Sequence, residues 1–105
     1  MTEIKQTRQY EDWYNSLKDS AVRARVALRL KRIKEQSYFG DAKPIGDGVY
    51  AIRIHCGKGY RMYYRTIGNE VILLLAGGDK SSQQRDIERA KALAKEDYRE
   101  VDDND

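Results

Sequence analysis

At 105 residues the chain can close one hydrophobic core and no more, which excludes a large cofactor-binding fold or a second domain. Its net charge is only +3, from 20 Lys and Arg against 17 Asp and Glu, but six acids and one arginine fall in residues 96–105, so residues 1–95 carry +8 and suit a phosphate-rich partner. One cysteine and one histidine exclude an internal disulfide and a four-ligand zinc site. With neither an apolar secretion signal nor a run of about 18 apolar residues, the protein is expected in the cytoplasm, away from membranes, with no metal or cofactor.

Ile4 to Thr7 reads as a short first strand, and Tyr10, Trp13, Tyr14 and Leu17 then recur at helical spacing. Asp19 is a candidate N-cap for a second helix from about Ser20 to Gln36. The apolar positions Val22, Val26, Leu30 and Ile33 of that helix oppose a basic side that includes Arg25, Arg29 and Arg32. Phe39-Gly40-Asp41 ends it, and Lys43 to Gly48 reads as a turn-rich entry to a sheet. Three strands follow, Val49–His55, Tyr60–Ile67 and Glu70–Ala76, joined by turns short enough to demand antiparallel hairpins. The third is apolar on both faces and is expected to be the most buried. Ser81 and Gln84 have capping-box spacing for a last helix from near Ser82 through Ile87, Ala90 and Leu93 to about Lys95. Residues 96–105 are acidic enough to be expected as a disordered tail to a 1–95 domain.

Side chains alternate along strands. If Tyr50, Ile52, Ile54, Tyr60, Met62 and Tyr64 pack under the two N-terminal helices, Arg53, His55, Arg61, Tyr63 and Arg65 share the opposite face as a cationic, aromatic patch. Lys80 leaves the last strand just after Gly77 and Gly78, where the backbone is free to turn it toward the rim of that patch. Fixed arginines stabilise the charge that builds on a phosphate when a ribose 2′-hydroxyl attacks it. His55 and Lys80 are the candidates for proton transfer, and Tyr63 for stacking on a base. Arg65, Arg29 and Arg32 are candidate RNA contacts. Gly78-Asp79-Lys80-Ser81-Ser82 resembles the end of a phosphate-binding P-loop, but Asp79 and Leu74 stand where that loop needs glycine, so nucleotide hydrolysis is not expected.

Several of these segments, in this order and spacing, resemble one family. They are Tyr10-x-x-Trp13, Ala24-Arg25, Gly40-Asp41-x-Lys43-Pro44, Gly48-Val49, Arg53, Gly59-Tyr60-Arg61 and Leu75-x-Gly77-Gly78-Asp79-Lys80-Ser81-Ser82-Gln83. The chain is similar to the RelE/ParE superfamily of type II toxin–antitoxin toxins, in its HigB-like addiction-module-killer branch. The resemblance implies an α+β fold, β-α-α-β-β-β, with an antiparallel sheet packed on two N-terminal helices and a C-terminal helix. It implies a ribosome-dependent endoribonuclease that cuts messenger RNA, neutralised by a helix-turn-helix, HigA-like antitoxin through which alone it meets operator DNA. By position it assigns the site to Arg53, Arg61 and Lys80. The chain departs from RelE in having Ala51 two residues before Arg53, and Asp86 and Ile87 where a C-terminal tyrosine is expected. The alternatives are a ParE-like poison of DNA gyrase with no nuclease activity and a non-catalytic RNA-binding domain.

Overall fold

Two side-chain caps set where the N-terminal helices begin. Thr7 ends strand β1 (Glu3–Gln6) and accepts the Tyr10 backbone N–H to start α1 (Arg8–Ser16), while its own hydroxyl donates to the Leu75 carbonyl. Asp19 accepts the N–H groups of Ala21 and Val22 to start α2 (Ser20–Gln36), which stops where Ser37 turns left-handed. The computed structural model describes residues 2–103, with side chains as far as Glu96.

Beyond α2 come β2 (Ala42–Gly46), β3 (Val49–Ile54), β4 (Tyr60–Ile67) and β5 (Val71–Gly78), then a 3-10 turn at Lys80–Ser82 and helix α3 (Gln83–Asp103). The strands form one sheet in the order β1-β5-β4-β3-β2, with β1 parallel to β5 and the other neighbours antiparallel. Strand β2 adds to the expected order, because residues read as a turn-rich entry pair with β3 as an edge. Pro44 is tolerated there, since an edge strand has one side that needs no N–H donors. No helix among the described residues is long and apolar enough to cross a membrane.

The sheet is covered on both faces. Tyr10, Leu17, Val22, Val26 and Ile33 of the N-terminal segment pack on Ile52, Ile54, Met62, Tyr64, Ile72 and Leu74, as the strand alternation requires. The opposite face carries a second core in which Val49, Ala51, Tyr63, Leu73, Leu75 and Ala76 pack under Ala90, Leu93 and Ala94 of α3. The expected open face is therefore half closed. Strand β5 serves both cores, and residues 72–76 are all buried. A bulge makes this possible: Tyr63 pairs with Ala76 but Tyr64 with Leu74, leaving Leu75 as the extra residue.

Helix α3 starts one residue after the expected position and is continuous to Asp103, so the expected boundary between residues 95 and 96 falls inside it. Residues 104 and 105 of the expected tail lie outside the described residues. The cap ahead of α3 is Asp79, which accepts both the N–H and the hydroxyl of Ser81; Ser81 does not head the expected capping box.

Candidate functional site

The hairpin register puts the cations side by side. Arg53 on β3 faces Arg61 on β4, and Arg61 faces Gly78 on β5. Like charges directly opposite on antiparallel strands repel. Here Asp41 offsets the repulsion, its Oδ2 accepting from Arg53 Nε and lying 3.0 Å from Arg53 Nη2. The same oxygen is 2.6 Å from His55 Nε2. Hydrogen bonding to His55 is the largest influence holding the Asp41 carboxyl below its ordinary range, with Arg53 adding to it. An ionised carboxylate can only accept, so His55 Nε2 carries a proton and Nδ1 is the ring nitrogen left for other chemistry. The imidazole is 67% exposed.

Asp41 thus keeps Arg53 from acting as a free cation and orients the histidine. A group whose folded-state pKa is depressed contributes stability above its unfolded pKa and loses it as pH falls through the folded value. The urea midpoint of the wild type should exceed that of Asp41→Ala near neutrality, and the difference should shrink as pH falls below the ordinary carboxylate range and Asp41 takes up its proton. A difference that stays constant over this range would mean that the Asp41 contacts do not form in solution.

Arg61, in contrast, has no carboxylate partner among the described residues. Its Nη1 donates to the Gly59 carbonyl at 2.9 Å. Gly59 has a positive φ of 75°, and a Cβ placed on it would lie 3.8 Å from Lys80 Cβ and 3.9 Å from Arg61 Nη1. The Lys80 stem and the Arg61 guanidinium therefore flank one glycine, and the Lys80 N–H ties the 3-10 turn to the Lys58 carbonyl. Lys58, unassigned from sequence, adds a third cation close enough to help depress the Asp79 carboxyl, whose main partner is the Ser81 hydroxyl. Beside them opens a cleft of about 570 Å³ lined by Trp13, Lys58, Tyr60, Gly78, Ser82 and Asp86.

Gly77 and Gly78 do not turn the chain as expected. Both lie in β5, and each is needed for close approach on one face: a Cβ on Gly77 would be 2.2 Å from the Trp13 ring, and one on Gly78 would be 1.8 Å from Asp86 Oδ2.

Tyr63 is not a stacking residue in this conformation. Its side chain is fully buried beneath α3, and its hydroxyl has no hydrogen-bond partner among the described residues. Burial, then the Asp86 charge, push its pKa up to about 12 against the opposing pull of Arg61, so the phenol stays protonated. Arg65 shares the face but not the site. Four residues from Arg61, about 13 Å along the strand, it lies beyond Tyr63 with Asp47, Gly48 and Ala94. Arg29 donates to the carbonyls of Phe39 and Arg53 and packs under Gly40, holding the loop after α2 against β3. Exposed Arg32 shares with Arg25, Leu28, Arg29 and His55 a groove of about 170 Å³ that leads to the Asp41 end of the site.

Three polar residues here escape a reading of strand alternation. Asp41 and Lys58 lie in loops, with the Gly40-Asp41-x-Lys43-Pro44 motif as the only local signal for the first. Asp86 is signalled by its helical i, i+4 spacing from Ser82, whose hydroxyl donates to it.

No family model matches the chain. An uncharacterised protein of Haemophilus influenzae strain Rd is 40% identical over 94 residues, covering 90% of this chain and 94% of that protein. The chain belongs to the same family as this Haemophilus protein. Among solved structures, a chain of the intact E. coli RelBE toxin–antitoxin complex superposes with a TM-score of 0.62 at 21% identity, covering 75% of this chain and 96% of that one. Isolated E. coli RelE gives 0.61 at 21% identity, covering 75% and 84%. An arginine-to-alanine double mutant of RelE in the free state gives 0.62 at 19% identity, covering 84% and 96%. The α+β fold of this family is the RelE fold.

Proposed function

We propose that the protein is the toxin of a type II toxin–antitoxin module, of the HigB-like branch, and that it cuts messenger RNA on the ribosome. The observation that carries this reading is the convergence of Arg61, Lys80 and Lys58 around Gly59, at the end of the sheet beside the first turn of α3, whose later turns cover the remainder of that face. Arg61, ion-paired to no carboxylate among the described residues, is the group to meet the non-bridging oxygens of a scissile phosphate, with the two lysines adding positive potential. These charges act most strongly on the transition state, where the phosphorane carries more negative charge than the ground state. His55, oriented by Asp41, is the group to protonate the departing 5′-oxygen through Nδ1. The basic side of α2, with Arg32 foremost, is the surface for ribosomal RNA phosphates.

A helix-turn-helix, HigA-like antitoxin is the proposed partner, and operator DNA is met only through it. The cytoplasm, where ribosomes are, is the proposed location.

A small cationic end of a sheet offers little surface to hold a naked strand in line for attack, so the ribosome is proposed to supply that orientation. Purified protein should cut messenger on translating ribosomes at least about 100-fold faster than the same RNA free in solution, and added antitoxin should abolish cutting. Equal rates on free and ribosome-bound RNA would remove the ribosome from the reading. No cutting of either would remove the nuclease.

A further inference from the structure

Asp86 closes a row of charges that crosses the sheet. Arg53 faces Arg61, Arg61 faces Gly78, and Asp86 lies directly over Gly78. With Asp41 on the outer side of Arg53, the row runs carboxylate, arginine, arginine, carboxylate, with His55 bonded to the first. Two strand spacings, about 10 Å, separate β3 from β5. Asp86 is half-buried on the cleft wall, and its Oδ2 accepts from Ser82. The charges of Asp86 and Arg61 both act on the buried Tyr63 hydroxyl, which has no hydrogen-bond partner among the described residues.

Attack by a 2′-hydroxyl proceeds in line, with the entering and leaving oxygens on opposite sides of phosphorus. Base and acid must then flank the phosphate, with cations between them on its remaining oxygens. Two hydrogen bonds plus the in-line array span roughly 9 Å, close to the width of the row.

On the reading of this chain as an RNA-cleaving toxin, we infer that Asp86 is the catalytic base that removes the 2′-hydroxyl proton. The 2′-oxygen bonds to phosphorus as its proton passes to the Asp86 carboxylate. The bond from phosphorus to the 5′-oxygen breaks, and that oxygen takes a proton from imidazolium His55. The products are a 2′,3′-cyclic phosphate and a 5′-hydroxyl. Ser82 holds the carboxylate toward the cleft.

Asp86→Asn keeps the shape and an acceptor for Ser82 but cannot take the proton. In single-turnover cleavage on programmed ribosomes it should be at least about 100-fold slower, with ribosome and antitoxin binding unchanged. An RNA with sulfur in place of the bridging 5′-oxygen needs no acid for its leaving group. That substrate should restore His55→Ala and leave Asp86→Asn slow. Wild-type rates in Asp86→Asn, or its rescue by sulfur, would overturn the assignment.

If Asp86→Asn does not fold, Ser82→Ala keeps the carboxylate and provides the test. Loss of the bond that holds the carboxylate in place should slow single-turnover cleavage at least about tenfold on both the ordinary and the sulfur-substituted RNA, and wild-type rates on both would overturn the base. Tyr63 on β4, Lys58 and Asp79 in the loops, Asp12 on α1 and Arg85 and Arg89 on α3 share the surroundings of Asp86, and all are kept in that variant. A wild-type protein that cuts no RNA would instead sink the proposed function itself.

Discussion

Arg61→Ala should lose growth arrest and RNA cleavage together, with a fall in rate of about 100- to 1000-fold, while the protein stays folded and binds its antitoxin. The guanidinium packs into neither core: its Nη1 donates to Gly59 at the surface end of β4, and no carboxylate among the described residues accepts from it. Truncation leaves no buried charge behind, so stability should change little. Arg53→Ala differs, because it also removes one of the two partners of Asp41, the carboxylate that orients His55. Arg61→Lys is a useful intermediate, keeping the charge but not the planar fork. A folded Arg61→Ala protein that still arrests growth would take Arg61 out of the site.

Gly77→Ala should produce the largest loss of stability. Gly77 has no positive φ, so the cost is steric: the added methyl would sit 2.2 Å from a ring atom of Trp13, and an indole held on α1 beside Tyr10 cannot swing aside as a lysine tip can. Either α1 lifts from β5 or the indole leaves its place on the core, at a cost of about 3 kcal/mol or more. For a domain of this size that lowers the melting temperature by roughly 12–24 °C. Gly68→Ala is the contrasting change. Its methyl would meet nothing within 4 Å, and only the positive φ of 64° resists it, at about 1 kcal/mol. Equal melting temperatures for Gly77→Ala and wild type would contradict the packing of α1 on β5.

What the sequence reveals follows from the range of the forces involved. Helix α2 is legible because its start depends on Asp19 and neighbours two and three residues on, and its burial on Val22, Val26 and Ile33 at helical spacing. The hairpin register is legible because a one-residue slip would carry Ile52 and Met62 out of the core. Strand β2 is not, since Lys43-Pro44-Ile45-Gly46 has poor strand propensity and is extended by its pairing with β3. The fate of Tyr63 is decided by α3, whose Ala90 and Leu93 lie some thirty residues further along. An alternation rule knows which face a residue takes, not what covers that face. For the same reason Arg61 and Arg65 look equivalent in sequence, yet they stand at opposite ends of that cover. The role of Asp41 depends on contacts 12 and 14 residues away, and that of Asp86 on the bare backbone of Gly78. Neither contact has a local period to announce it.

The most direct measurement is a map of RNA 5′ ends in cells expressing the protein, set beside cells expressing Arg61→Ala. New 5′-hydroxyl ends should appear inside translated reading frames with the wild type, and be absent with Arg61→Ala or when the antitoxin is co-expressed. Intact messenger accompanied by gyrase-dependent double-strand breaks in DNA would contradict the nuclease and leave the RelE fold in the service of a gyrase poison.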